Sequence, residues 1–257
     1  MKNPLNSIAI AFMLCTALAS CRKKDSINLS NQQLVKIEQD ANNYTALTYN
    51  ADRTLSSIKD VEDSYINETE ITYNAEKKPI IGKSNGFNLN FIYTGGKLTR
   101  INTVAQNTQG VIAFMEFTYT NNLLTQTAIS ADVNDQVLIG TKLFYLYHPN
   151  GDVKQITMAG LNPMDNTFEV FAIHRFEYDQ MVNPLKVSAE VFSGLNWNAS
   201  AHNITKETVL TADEQVTEVI TTTYTYHNAT GMPLTAKEVT APVGGDAVTI
   251  TKKFIYN

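Results

Sequence analysis

The chain has 257 residues, 43% hydrophobic and 18% charged, enough to bury a core without disulfide staples. Its formal net charge of -5 leaves no basic surplus to neutralise phosphates, which excludes nucleic acid as a natural partner. Two cysteines exclude a disulfide-dense scaffold, and abundant threonine and tyrosine favour strands over helices.

Lys2 gives a short positive start, and Ile8 to Leu18 is an apolar run. That run is too short to span a bilayer, which takes about 20 residues, but it suits the apolar region of a secretory signal peptide. Leu18-Ala19-Ser20-Cys21 follows at once. This tetrapeptide resembles the lipobox of bacterial lipoproteins, in which the cysteine thiol receives a diacylglyceryl group and becomes the acylated N-terminus after cleavage. The resemblance implies that residues 1–20 are a signal peptide and that Cys21 is the lipidated residue. Two or three acyl chains hold a protein stably at a membrane, at about 0.8 kcal/mol per buried methylene. Cys15 then leaves with the signal peptide, so the mature chain keeps no free thiol for nucleophilic or thiolate-metal chemistry. Residues 1–20 hold one lysine and no acid, so the mature charge becomes -6.

Residues 21–32 are polar and without periodicity, which predicts a flexible tether. The position after Cys21 is Arg22 and not aspartate, which is similar to lipoproteins sent on to the outer membrane. Three basic residues stand before Asp25, the only acid here, and this favours a periplasm-facing placement over the cell surface. Asp25-Ser26-Ile27 resembles a short bacterial O-glycosylation site, but three residues make a weak match and a plain tether is the preferred reading.

Residues 33–257 read as one β-hairpin-repeat domain. Leu34 to Glu38 and Tyr44 to Tyr49 flank a polar turn and predict a first hairpin; a short helix over Asn31 to Gln39 lacks a long apolar stripe. From Tyr49 a unit recurs: an alternating strand ends in tyrosine, a polar turn follows, and a second strand opens on an aliphatic residue. The tyrosines are Tyr49, Tyr73, Tyr93, Tyr119, Tyr147, Tyr178, Tyr226 and Tyr256, spaced 24, 20, 26, 28, 31, 48 and 30 residues apart. The drift in spacing means hairpins of unequal length. Turns such as Gly95-Gly96, Asn121-Asn122 and Asn150-Gly151 tolerate the positive φ that tight hairpins demand. Each tyrosine beside a turn is expected to bury its ring and keep its hydroxyl in water. About 16 strands result. Twist prevents so many from lying in one flat sheet, so the expected fold is all-β: an antiparallel up-and-down meander, strongly curved or rolled, or an open barrel.

The tyrosine-turn-leucine unit is similar to YD (RHS-like) repeats. More closely, the chain resembles Bacteroidetes lipoproteins of a domain-of-unknown-function family built from such hairpins. The late Tyr178-Asp179, the Asn183-Pro184-Leu185 after it, and Asn203-Ile204-Thr205-Lys206 carry that resemblance. Several units depart from it, with threonine or histidine after the tyrosine. The family has no established catalytic residues, so the resemblance transfers none, and no cofactor is implied.

Little in the sequence selects chemistry. His148, His174, His202 and His227 lie far apart, and His148 and His227 occupy equivalent positions after a repeat tyrosine, which reads as repeat grammar and not as a metal pair. Asp132-Val133-Asn134-Asp135 gathers oxygens as a calcium loop does, and as a polar hairpin turn does. No metalloprotease, nucleophile-elbow or phosphate-loop motif occurs. The least explained stretch is Val187 to Asn203, inside the 48-residue gap. Its Phe192, Asn196, Trp197 and Asn198 combine an aromatic face with amides, the chemistry of a sugar site. The competing reading is that the stretch crosses an open sheet end and Trp197 plugs the core. The functional expectation is a membrane-anchored envelope lipoprotein with a non-enzymatic binding or scaffold role, its partner a glycan or an envelope protein. The alternatives are an envelope glycan hydrolase working with acidic residues, which needs two carboxylates facing one pocket, and a purely structural envelope protein.

Overall fold

Alternation of apolar and polar residues sets the strands, and the turn chemistry sets where they reverse. In the computed structural model, which describes residues 32–107, 110–133, 136–188 and 200–257, the strands are β1 (Leu34–Glu38), β2 (Asn43–Tyr49), β3 (Leu55–Glu62), β4 (Tyr65–Tyr73), β5 (Pro79–Lys83), β6 (Phe87–Thr94), β7 (Lys97–Ala105), β8 (Val111–Thr120), β9 (Leu123–Val133), β10 (Gln136–Tyr147), β11 (Val153–Asn162), β12 (Thr167–Val182), β13 (His202–Leu210), β14 (Val216–Tyr226), β15 (Pro233–Pro242) and β16 (Val248–Tyr256). Every strand pairs antiparallel with its sequence neighbours, as an up-and-down meander requires. The sheet does not stay open. β1 pairs with β16, Ile37 opposite Phe254 and Glu38 opposite Lys253, and the sixteen strands form a closed barrel with no free edge. The stretch that left a helix open in the sequence is strand β1.

Each repeat tyrosine sits at a register shift. The ladder slips at Thr48/Tyr49, Thr72/Tyr73, Ile92/Tyr93, Thr118/Tyr119, Leu146/Tyr147 and Thr225/Tyr226. A bulge breaks the ladder locally, and the carbonyl beside it is the one that the next hairpin's tyrosine reaches. The Tyr119 hydroxyl donates to the Leu98 carbonyl at 2.9 Å, Tyr147 to Leu124 at 2.8 Å and Tyr178 to Val153 at 2.8 Å. Tyr49 donates to Leu34 at 2.7 Å and Tyr256 to Pro233 at 2.9 Å. These hydroxyls therefore point to backbone, not to water as the sequence suggested. The rings are packed against the core, and the bulge supplies an acceptor closer than the solvent. Burial pushes the Tyr119 hydroxyl up to about 12.

The tight turns repeat one design. Asn50 N–H donates to the Thr54 carbonyl, Asn74 N–H to Lys78 and His148 N–H to Asp152, each at 2.8–2.9 Å. The left-handed position is Arg53 (φ 71°), Lys77 (φ 59°) and Gly151 (φ 94°) respectively. Only Gly151 occupies it without strain. Lys77→Gly is expected to raise stability by about 0.5–1 kcal/mol, since the Lys77–Asp52 ion pair it removes is solvent-exposed and contributes little. Denaturant midpoints check this; a lower midpoint than wild type contradicts it.

The inward face carries two apolar clusters. One runs along β6 to β12 and includes Leu89, Phe91, Ile101, Met115, Leu143 and Ile156. The other gathers Leu34, Leu47, Leu55, Ile58 and Ile71 on β1 to β4, with Phe254 and Tyr256 from β16. The outward face carries opposite charges directly across from each other: Lys59 and Glu68, Glu70 and Lys83, Arg100 and Glu116, Glu177 and Lys206. Arg100 Nη1 lies 3.1 Å from Glu116 Oε1, and Lys206 Nζ lies 2.9 Å from Glu177 Oε1. Such cross-strand pairs suit a sheet in water. A lipid-facing barrel has the reverse arrangement, apolar outside and polar within, and an outward Lys or Arg at the bilayer midplane costs about 2–4 kcal/mol.

Candidate functional site

The up-and-down rhythm is interrupted once, between Val182 and His202. Asn183-Pro184 ends β12, because proline has no N–H to continue a ladder. Asn183 then ties both ends of the excursion. Its side chain accepts from Leu185 N–H at 3.0 Å and donates to the Ser200 carbonyl at 3.1 Å, and its backbone N–H donates to the Ala201 carbonyl at 3.0 Å. A short 3-10 turn, Pro184–Ser188, follows. Leu185 packs into the cluster on β1 to β4, on the far side of the ring from β12. The chain therefore dips across the mouth of the barrel before it returns to β13.

The return is held by Asp152, from the β10–β11 turn. Its side chain is fully buried. One oxygen accepts from Ala201 N–H at 2.7 Å; the other accepts from His202 Nδ1 and from Asn150 Nδ2, both at 2.6 Å. Ser200 completes the junction: its hydroxyl accepts from Val153 N–H at 3.1 Å and donates to the Tyr178 hydroxyl at 2.9 Å. Burial raises the Tyr178 hydroxyl above its ordinary value and the nearby Asp152 and Glu207 charges add to it, while the Ser200 hydrogen bond opposes them. A second carboxylate supports the same junction. Asp179 accepts from Met181 N–H at 2.8 Å, from Asn203 N–H at 3.2 Å and, by a short bond, from the Tyr226 hydroxyl. Asn203 Nδ2 donates to the Met181 and Val182 carbonyls, both at 3.3 Å. A cavity of about 400 Å³ opens beside this clasp, lined by His148, Pro149, Asn150, Glu177, Tyr178, Asp179 and Gln180.

Serine, histidine and aspartate meet here, but not as a hydrolytic relay. The Ser200 hydroxyl bonds to Val153 and Tyr178, not to the imidazole, and the Asp152 oxygens are committed to the backbone and side chains that close the crossing. The arrangement fixes a segment at the barrel mouth. Of the residues singled out in the sequence, Phe192, Asn196, Trp197 and Asn198 lie outside the described residues, as does Cys21. The two ends of their segment are placed, and both sit on the clasp. The side chains of Asp132 to Asp135 also lie outside the described residues. The histidines take separate duties. His148 approaches the Phe176 carbonyl at 3.3 Å and stands edge-on to the Tyr178 ring, His174 Nδ1 lies 2.6 Å from Glu207 Oε1, and His227 opens the β14–β15 turn. Asp152 and Ser200 were not singled out; only the Asn-Gly-Asp turn marked Asp152, and there it looks like ordinary turn chemistry.

No protein-family model matches the chain, and a search of curated proteins finds no match. Solved structures do match. A porin-like protein from Bacteroides uniformis, 14% identical, aligns over 87% of this chain and 98% of its own, with a TM-score of 0.58. A porin-like protein from Bacteroides vulgatus, 13% identical, aligns over 88% of this chain and 99% of its own, with a TM-score of 0.57. The chain shares their fold. At this identity the likeness is one of fold alone.

Proposed function

We propose that this chain is an envelope lipoprotein of a Bacteroidetes-type cell, anchored in the outer membrane through Cys21, whose barrel presents the clasped 183–201 segment to a glycan or an envelope protein without catalysing a reaction. The observation that carries the reading is the polarity of the barrel: apolar clusters lie within and paired charges outside, even with Phe144 and Leu146 exposed on β10, so in this reading the Cys21 lipid and not the strands makes the membrane attachment. The fold shared with two Bacteroides porin-like proteins supports the envelope setting. The crossing is fixed by the Asp152 and Asp179 carboxylates together with the side chains of Asn150, Asn183, Ser200 and Asn203, which supports that segment as the displayed surface. Phe192, Asn196, Trp197 and Asn198 are the ligand contacts in this reading. The basic residues after Cys21 favour the periplasmic face.

The test has two arms. Cys21→Ala should move the protein from the membrane fraction to the soluble periplasm, and unchanged membrane retention contradicts the anchor. The mature barrel should retain a glycan or envelope protein that Trp197→Ala loses at unchanged melting temperature. A Trp197→Ala variant that binds as wild type does contradicts the site.

A further inference from the structure

At the end of the barrel away from the clasp, the closing seam forms a second cavity, of about 290 Å³, lined by residues of β1, β2, β3 and β16 with the turns beside them, among them Gln39, Asn43, Thr45, Asp60, Glu62 and Lys252. The register orders these side chains. Asn43 lies opposite Glu62 and Tyr44 opposite Glu38, while Glu38 lies opposite Lys253. One step further along, Gln39 and Lys252 continue the same inward row. Four neighbouring positions thus read acid, amide, amide, ammonium across the seam, with Asp60 and Thr45 one row deeper and Ile37 opposite Phe254 as the apolar floor. Strands lie about 4.8 Å apart, so the two charged ends are some 14 Å apart at the backbone, and both residues line the one cavity.

We infer that this seam cavity is a binding site for a small zwitterion, an α-amino acid or the amino-acid end of a larger molecule, with its ammonium toward Asp60 and Glu62 and its carboxylate toward Lys252. Asp60 is mostly withdrawn from water, and it accepts from the Thr45 hydroxyl at 2.7 Å. No cation stands within ion-pair distance of it among the described residues. Burial raises its carboxyl above the ordinary carboxylate range, and the Glu62 charge adds to this. A seated ammonium supplies the missing counter-charge and reverses both effects. Lys252 touches Glu238 at 2.9 Å and keeps further donors, since an ammonium carries three. Gln39 and Asn43 stand between the two charged positions, where the polar centre of a zwitterion falls; the Asn43 Nδ2 already donates to Asp40 at 3.0 Å, which leaves its oxygen to face the ligand. A ligand of one sign satisfies only one end of the row.

The probes are free alanine, lysine and glutamate in both enantiomers, with propionate and ethylamine as singly charged controls, titrated into the mature protein by calorimetry and by the carboxyl resonance of Asp60. At least one amino acid should bind about tenfold more tightly than either control and should lower the Asp60 pKa, as pairing with an ammonium requires. Asp60→Asn and Lys252→Met should each weaken binding about tenfold or more. Because the Asp60 pKa is raised in the folded state, its stabilising contribution is present at acid pH and lost as pH rises through the folded value. Asp60→Asn should therefore melt no lower than wild type at neutral pH, which separates lost binding from lost folding. Gln39→Ala, at the rim, is the milder second variant and should weaken binding with the fold intact. No binding of any amino acid at about 10 mM, or equal binding of the singly charged controls, overturns the assignment.

Discussion

Asp152→Ala should cost about 2–4 kcal/mol of stability, because removing a fully buried acceptor leaves its hydrogen-bond donors unsatisfied at about 1–3 kcal/mol each where water cannot reach them. Three donors lose their acceptor at once: Ala201 N–H, His202 Nδ1 and Asn150 Nδ2. The Asp152 side chain is fully buried, while Asn150 is exposed and His202 is partly so, so the Ala201 N–H is the donor whose loss weighs most. The loss should also be local before it is global. The tie between the β10–β11 turn and the start of β13 opens, and with it the hold on the crossing that seats Leu185 against the β1–β4 cluster. Limited proteolysis should therefore cut the variant within residues 183–201 while the remaining barrel stays resistant. Asp152→Asn keeps an acceptor for Ala201 N–H and should cost less, about 1–3 kcal/mol. Denaturant unfolding of both variants checks the order, and an Asp152→Ala variant within 1 kcal/mol of wild type contradicts the clasp.

The clasp also marks what a sequence conceals. Strand number and order were legible because they depend on local chemistry: period-two alternation, and turns such as Gly95-Gly96 and Asn121-Asn122 that accept positive φ. Even Lys77 and Arg53, poor residues for a left-handed position, did not hide their turns, because Asn74 and Asn50 mark the same unit. Closure was not legible. It rests on β1 meeting β16, Leu34 opposite Tyr256, and no local pattern distinguishes a rolled sheet from a joined one. The reciprocal contact at the seam, Gln33 N–H to Asn257 Oδ1 and Asn257 N–H to the Gln33 carbonyl, spans 224 residues. The site was legible in outline only. Tyr178-Asp179, Asn183-Pro184 and Asn203 stood out as an ordered motif, and they are the residues that hold the crossing, but their partners Asp152 and Ser200 resemble ordinary turn residues. A carboxylate that is buried by a segment fifty residues downstream leaves no trace in its own neighbourhood.

The same packing of tyrosines against bulges makes the barrel sensitive to alkali. In an unfolded chain tyrosine ionises near pH 10. In the fold, burial is the leading cause that holds Tyr119 up to about 12 and pushes Tyr147, Tyr178, Tyr224 and Tyr256 higher. Neighbouring charges reinforce it, such as Asp179 beside Tyr224. Each hydroxyl is also a donor to a backbone carbonyl, a bond that a phenolate cannot make. The folded pKa values lie above the unfolded one, so the stabilisation is fully present below pH 10 and is lost as pH rises from there toward the folded values. Through that window each tyrosine that ionises only on unfolding removes about 1.4 kcal/mol per pH unit. Five together remove several kcal/mol per unit, against a total stability of about 5–15 kcal/mol for an ordinary domain. The barrel should therefore unfold cooperatively between about pH 11 and 12, and release several protons as it does. Tyrosinate absorbance followed beside circular dichroism tests this. The buried class should stay silent past pH 10 and then appear in one step with the loss of strand signal. If all the tyrosines titrate smoothly near pH 10 while the barrel stays folded, their hydroxyls are in water and the stitching of each turn to the next hairpin is wrong. Tyr147→Phe should remove one titrating group and shift the alkaline midpoint upward, even as the missing donor lowers stability at pH 8 by about 1 kcal/mol.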